Sequence, residues 1–411
     1  MLGWTSSLKG EDARALDTDG SEDVAGPARV VTIWASYGPY HIARLNGLRR
    51  AGFDVTPFSY ATTDPTYPFF RERPPGLVVL NDAPVGRVNP VSSFIHTLRS
   101  LLKEAPDLVL TCGYERPESL AAVVYCRLPW PSRRRPRARC VLMLENVRGS
   151  QRRRLIEQVK SLYLRAFDGF LVGGKAQIAY LRTLRVSRDK IAVGYACVDN
   201  HRIELLVRGA RHDSRRLLPA DYLLTVSRLV DRKNTAAIVR ALSTYVRALR
   251  QGAEPFHLVI VGDGPERSRL EALAENLHVA DLVHFTGELS EFEEVVRYYA
   301  FASAFVLASW FEPWGLVLNE AMAAGLPVVA ASQVGAAADL IEEGVNGFTF
   351  EANSDDGLAV ILRRLHDMRA DLHGLGTASR SIVDRFSPEV FGANAASFLN
   401  NRPPQSPSRS A

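Results

Sequence analysis

The chain has 411 residues, 46% of them hydrophobic and 23% charged, enough for two domains of common size and ordinary for a globular protein. No apolar run reaches the length of a membrane span. The net charge of +5 comes almost wholly from arginine, without interleaved aromatics or a recognisable binding module, so nucleic acid is not an expected partner.

Both ends are polar. Residues 1–27, rich in Asp, Glu, Ser and Gly, lack the apolar stretch of a secretory signal and read as a disordered tail, as do residues 401–411. From Ala28 onward, short apolar strands alternate with helical patterns. Strands are predicted at Arg29–Ala35, Asp54–Phe58, Leu108–Thr111, Cys140–Leu144, Gly169–Val172 and Ile191–Gly194, with helices at Tyr40–Ala51, Phe94–Glu104 and Arg152–Ala166. His201 to Pro219 is basic and aperiodic and reads as an inter-domain linker. The alternation then restarts. Strands are predicted at Asp221–Val226, Phe256–Val261, Val283–Phe285, Ala304–Ala308 and Val328–Ala331. Helices are predicted at Thr235–Leu249, Glu266–Asn276, Phe292–Phe301, Leu316–Ala324, Asp356–Met368 and Pro388–Leu399. Such alternation implies an α/β fold of two Rossmann-like parallel-sheet domains facing a central cleft. Residues 28–200 form the first domain, 201–219 the linker and 220–385 the second. Residues 386–400 are a last helix able to cross back to the first domain.

Ligands bind such sheets outside the carboxyl ends of the strands. After Ala304–Ala308 comes Glu312-Pro313-Trp314-Gly315-Leu316-Val317, then Glu320 inside the helix, closed by Gly325 and Pro327. The helix start at Gly315 is suited to a phosphate, with its free N–H groups and partial positive charge. Glu312 can project across the cleft, Glu320 lies one to two turns inside the helix, and both are acceptors for sugar or ribose hydroxyls. Arg228, after strand Leu223–Val226, and Lys233, just before the next helix, are two cations placed to clamp a diphosphate.

Glu312-Pro313-x-Gly315-Leu316 with Glu320-Ala321-Met322-Ala323 and Gly325-x-Pro327-Val328-Val329 resembles the signature of the retaining, nucleotide-sugar-dependent glycosyltransferases of family 4, which have the GT-B fold. The resemblance implies a sugar donor held by the second domain and an acceptor held by the first. It gives Arg228 and Lys233 the diphosphate, Glu320 the ribose and Glu312 the sugar, and sets Trp314, Gly315, Leu316 and Val317 against the donor. Gly262, Gly287 and Leu289 are implied at the base pocket, or are plain turn residues. The loop Ser36–His41 is similar to the family's first glycine loop. There Gly38 approaches the donor, Tyr37 and His41 are acceptor-side candidates, and His41 can equally be a surface residue. Only Gly38 stands where the family usually has two glycines. Ala336 and Asp339 replace a usual Gly and Glu in a segment that reads as structural. Glu145 stands where many members have a His; it can bind or deprotonate an acceptor hydroxyl, or accept loop N–H groups.

The resemblance implies a nucleotide-sugar donor, UDP-linked before GDP-linked, with a carbohydrate, lipid-linked or small-molecule acceptor. No cofactor or metal is expected: the lone Asp-x-Asp, Asp17-Thr18-Asp19, sits in the predicted tail. The cluster Arg133–Arg139 is a solvated loop or a contact with anionic membrane. The four cysteines, Cys112, Cys126, Cys140 and Cys197, lack metal-ligand spacing. They fit a reducing, cytoplasmic setting, peripheral at the inner face of the membrane. Two rival readings differ in class. A nicotinamide-dependent oxidoreductase or epimerase would need a third glycine where Arg267 stands after Gly262-x-Gly264. A non-catalytic carbohydrate-binding protein would not need Arg228, Lys233, Glu312 and Glu320 together.

Overall fold

The computed structural model describes residues 26–64, 72–130, 137–145, 154–213, 217–218 and 220–400. The Asp17–Asp19 motif, Arg133, Arg134 and Arg135 of the basic cluster, and Arg215 and Arg216 lie outside the described residues, as do residues 1–25 and 401–411 of the predicted tails.

The first domain runs β1 (Arg29–Trp34), α1 (Pro39–Arg50), β2 (Asp54–Ser59), β3 (Val78–Val79), α2 (Pro90–Glu104), β4 (Leu108–Cys112), α3 (Pro117–Arg127), β5 (Arg139–Leu144), α4 (Arg154–Leu164), β6 (Gly169–Val172), α5 (Lys175–Thr183) and β7 (Ile191–Val193). Its strands form one seven-stranded sheet, ordered β3-β2-β1-β4-β5-β6-β7, with parallel pairing throughout. Apolar side chains occupy both faces, which explains why the strands read as continuous apolar runs rather than alternating ones. In β1, Val31 and Ile33 face a core shared with Leu101, Val123 and Leu181. Val30 and Trp34 face the opposite core, with Leu45 and Leu48 of α1.

The second domain begins with α6 (Asn200–His212), then β8 (Tyr222–Val226), α7 (Thr235–Arg247), β9 (His257–Val261), α8 (Arg267–Asn276), β10 (Val283–Gly287), α9 (Phe292–Phe301), β11 (Ala304–Leu307), α10 (Leu316–Ala323), β12 (Val328–Ala331), α11 (Ala337–Leu340), β13 (Gly347–Phe350), α12 (Asp355–Asp367) and α13 (Leu372–Val383). Its six strands are ordered β10-β9-β8-β11-β12-β13, again all parallel. Each sheet therefore reverses strand order beside its own first strand. The loops that follow the strands of both sheets meet between the domains.

The segment read as an aperiodic linker is largely helical. α6 is capped by the Asp199 carboxylate, which accepts the Arg202 N–H at 3.0 Å. Ile203 and Val207, four residues apart, are its buried residues, Leu206 and Ala210 pack partly buried beside them, and Arg202, Arg208 and Arg211 lie on the exposed side. Arg211 Nε donates to the Ala300 carbonyl at 2.8 Å, tying α6 to α9. After α13 the chain returns to the first domain as α14 (Pro388–Ser397). Phe391 and Ala395 complete the core on the α1 side, and Asn394 Nδ2 donates to the Val193 carbonyl at 2.7 Å.

Candidate active site

The site grows from four loops of the second domain. Ser227–Asn234 follows β8 and is knitted to the turn after β9. Ser227 N–H donates to the Val261 carbonyl at 3.0 Å, and Leu229 N–H to the Asp263 carbonyl at 2.9 Å. Gly262 makes this approach possible: its φ is +131°, and a Cβ there would stand 2.0 Å from the Ser227 carbonyl oxygen. Gly262 N–H also donates to the Gly287 carbonyl at 2.9 Å, so the two candidate glycines are adjacent. Leu289 packs half-buried against the core. Arg228 is presented, exposed, on this braced turn.

The third loop, Ala308–Gly315, is stapled on both sides. Asn234, itself left-handed at φ +52°, donates from Nδ2 to the Ala308 carbonyl at 3.2 Å and the Ala352 carbonyl at 3.0 Å. From the fourth loop, Gly335 N–H donates to the Glu312 carbonyl and Ala336 N–H to the Trp314 carbonyl, both at 3.0 Å. Gly315, at φ +102°, then turns the chain into α10. The N–H groups of Leu316 and Val317 open that helix and have no acceptor inside it.

Lys233 and Glu312, read separately from sequence, are one unit. Lys233 Nζ donates to Glu312 Oε1, Arg232 Nη1 donates to the same oxygen at 3.1 Å, and Ser309 Oγ adds a bond at 3.2 Å. Glu312 is therefore held in its loop instead of reaching freely across the cleft. Burial lowers the Lys233 pKa, and Glu312 pulls it partly back.

Glu320 departs further from expectation. It is 3% exposed, not open to solvent. Tyr40 of α1 donates its hydroxyl to Oε1 at 2.7 Å, and Tyr299 of α9 donates to Oε2 at 3.0 Å. Burial pushes the carboxyl up to about 7, with both phenols opposing.

Two other candidates are core residues. Trp314 is 1% exposed; its indole N–H donates to Asn319 Oδ1 at 2.8 Å, and its ring packs on Phe386. Tyr37 is buried, with its hydroxyl donating to the Phe58 carbonyl at 3.2 Å. Neither side chain lines the cleft. A large aromatic ring is apolar before it is a ligand group, and both hydroxyl and indole N–H find internal acceptors.

His41 is half-buried against Trp34 and Tyr37, and its Nδ1 accepts the Gly38 N–H at 3.1 Å. Burial first, and Arg44 second, lower its pKa well below the usual value. His41 is thus neutral, with its other ring nitrogen protonated. Gly38 caps α1 in an extended conformation. Glu145 sits at the end of β5. Burial raises its pKa, Arg44 opposes, and Glu312 adds to the rise from across the cleft. Its backbone carbonyl accepts Gln177 Nε2 at 2.8 Å, and the same amide reaches the Pro313 carbonyl at 3.2 Å.

Gln177 is one of several inter-domain ties that sequence reasoning missed. The Asp339 carboxylate accepts the Lys175 N–H at 3.0 and 3.2 Å, which gives the residue in the family's usual Glu position a bridging role. Asn319 Nδ2 donates to the Ala196 carbonyl at 3.2 Å. Tyr40 and Arg44 were also missed, although their i, i+4 spacing on α1 places both on one face. Arg44 is buried; its Nε donates to the Tyr195 carbonyl at 2.7 Å and its guanidinium lies over the Tyr195 ring.

Residues 211–381 match the family described as glycosyl transferases group 1. Over 175 residues the chain is 34% identical to the lipopolysaccharide core biosynthesis glycosyltransferase LpsD of Rhizobium meliloti, covering 42% of this chain and 48% of that one. Over 209 residues it is 30% identical to a GDP-mannose-dependent alpha-(1-6)-phosphatidylinositol monomannoside mannosyltransferase of Mycobacterium tuberculosis, covering 49% and 53%. The chain thus spans about half the length of these relatives. Among solved structures, sucrose-phosphate synthase from Thermosynechococcus elongatus superposes with a TM-score of 0.67 at 21% identity, over 91% of this chain and 98% of that one. Anabaena Alr3699/HepE, in complex with UDP and glucose, superposes at 0.66 and 18% identity, over 91% and 100%. The fold is GT-B. The group 1 match covers α7 to α12 completely, and with them every second-domain residue assigned above to the donor.

Proposed function

We propose that the chain is a retaining family 4 glycosyltransferase. It would transfer a sugar from a nucleoside diphosphate, UDP-linked or next GDP-linked, to an acceptor hydroxyl in polysaccharide, glycolipid or natural-product biosynthesis. The carrying observation is the braced cationic turn: Arg228 exposed and Lys233 fixed by Glu312, beside the start of α10. Two cations and a helix N-terminus favour a diphosphate in the ground state and more so as it leaves. The sugar carbon's bond to phosphate oxygen breaks, and its bond to the acceptor oxygen forms on the same face. The acceptor's proton passes to the departing phosphate, so no enzyme base is obligatory. Glu312 would orient the sugar, Glu320 would bind ribose hydroxyls, and His41 and Glu145 would face the acceptor. The chemistry needs no resident cofactor or metal, because the cations carry the charge.

Thermal stability against UDP, GDP, ADP, dTDP and NAD tests this reading. One nucleoside diphosphate at about a hundred times its dissociation constant is expected to add roughly 2.7 kcal/mol. Stabilisation by NAD alone would overturn the proposal.

We place the enzyme on the cytoplasmic side of an anionic membrane, touched through Arg133–Arg139. Among the described residues no helix is long and apolar enough to cross a membrane. Of the cluster, Arg137 and Arg139 are described, and both pair with Asp168, at 3.0 and 3.4 Å. Co-sedimentation with phosphatidylglycerol vesicles, weakened by 0.5 M salt, is the expected result. Equal recovery with neutral vesicles would remove this part of the reading.

A further inference from the structure

The Glu320 carboxylate is buried, and among the described residues no cation pairs with it. Each of its oxygens instead carries one phenol, and the two phenols come from different domains. Tyr299 lies on α9, next to Glu320 in the same domain, so that bond persists whatever the domains do. Tyr40 lies 280 positions away on the first turn of α1, so its bond forms only when the domains approach. Burial keeps both phenols far from ionisation, with Glu320 adding to the effect, and both act as donors. A ribose hydroxyl is a donor of the same kind and would approach the same carboxylate from the same cleft.

We propose that Tyr40 is a positioning residue that competes with the donor's ribose for Glu320 Oε1. This rests on the glycosyltransferase reading, in which Glu320 binds ribose. The exchange is balanced, since one O–H donor replaces another and the buried carboxylate is never left unpartnered. It also links the two domains. A ribose on Oε1 releases α1 from α10, so nucleotide binding loosens one of the cleft's ties while Lys175–Asp339 and Asn319–Ala196 remain. Ribose hydroxyls are then recognised twice, by what they bind and by what they displace.

Calorimetric titration of UDP and GDP into wild type, Tyr40→Phe and Tyr299→Phe tests the exchange. The Phe variant of Tyr40 keeps the ring and loses only the competing hydroxyl. It is expected to bind the recognised nucleotide about tenfold more tightly, which is about 1.4 kcal/mol. The gain should vanish with the 2′,3′-dideoxy form of that nucleotide, a readout that a merely structural role would not move. Tyr299→Phe, which displaces nothing, is expected to bind no more tightly than wild type. Unchanged or weaker binding by a folded Tyr40→Phe overturns the inference, as does an equal gain with the dideoxy nucleotide. Should that variant lose its thermal transition, Tyr40→Met carries the same comparison. Failure of wild type to bind any nucleoside diphosphate would sink the underlying reading, and this inference with it.

Discussion

Arg228→Ala is expected to leave folding stability within about 0.5 kcal/mol of wild type while abolishing stabilisation by nucleoside diphosphates. Its guanidinium is exposed and makes no side-chain polar contact with another described residue, so little in the fold depends on it. Lys233→Ala should behave differently. The Lys233 side chain is 13% exposed and its partner Glu312 8%. Removing the lysine leaves a buried carboxylate with Arg232, whose side chain is 54% exposed, and the Ser309 hydroxyl. Breaking a buried pair costs about 3–5 kcal/mol when nothing replaces it; with Arg232 in place the expected loss is near the lower bound, about 3 kcal/mol. Turnover should fall roughly 10²- to 10³-fold in either single variant, the usual effect of losing one group that stabilises developing charge. The two effects separate in Lys233→Met/Glu312→Gln, which removes both charges. It should recover most of the stability and none of the nucleotide binding. Nucleotide binding unaffected by Arg228→Ala would place the diphosphate elsewhere.

Glu320→Gln is expected to stabilise the protein at alkaline pH and to impair it as an enzyme. The carboxyl titrates near 4.5 when unfolded and near 7 when folded, because burial disfavours its charged form. Between those values the folded state holds more protons than the unfolded state, so stability falls as pH rises through the window. Below about 4.5 the group costs nothing, and above about 7 it costs roughly 3 kcal/mol. Glutamine stays neutral and can still accept from one phenol. Denaturation at pH 5 and pH 8 should show the variant's advantage growing by roughly 2–3 kcal/mol across the interval. An advantage independent of pH would mean that Glu320 is not the titrating group. The same variant should bind nucleoside diphosphates more weakly, because a neutral amide is a poorer acceptor for ribose hydroxyls.

The second domain was the more legible half because its signals are local. Gly315, Gly325 and Pro327 punctuate α10 within a dozen positions, and the helix at Phe292–Phe301 and the strand at Val328–Ala331 have the bounds expected from their patterns. Where burial surrounds a helix, or covers only a thin stripe, periodicity is lost. α3 buries Glu118, Ser119, Ala121, Ala122, Val123, Tyr125 and Cys126, leaving no polar face to mark it as a helix. α6 buries only Ile203 and Val207 among its arginines, and the one readable sign was Asp199 as its cap. Within the site, residue types were readable but pairings were not. Lys233 and Glu312 lie 79 positions apart, and only the meeting of two loops joins them. Trp314 and Tyr37 show the converse. Both sit in loops that face the cleft, yet their side chains turn inward because no local pattern outweighs the burial of a large ring.

The return of α14 to the first domain has a consequence for biosynthesis. Val193 closes the first sheet, but the helix that seals its α1 face contacts it through Asn394, 201 positions later. A ribosome adding about 5–20 residues per second needs roughly 10–40 s to cover that distance. Throughout that interval Val30, Leu45 and Leu48 await the side chains of Phe391 and Ala395. The first domain is therefore finished only after the second has been made, and its maturation waits on the emergence of α14 rather than on its own.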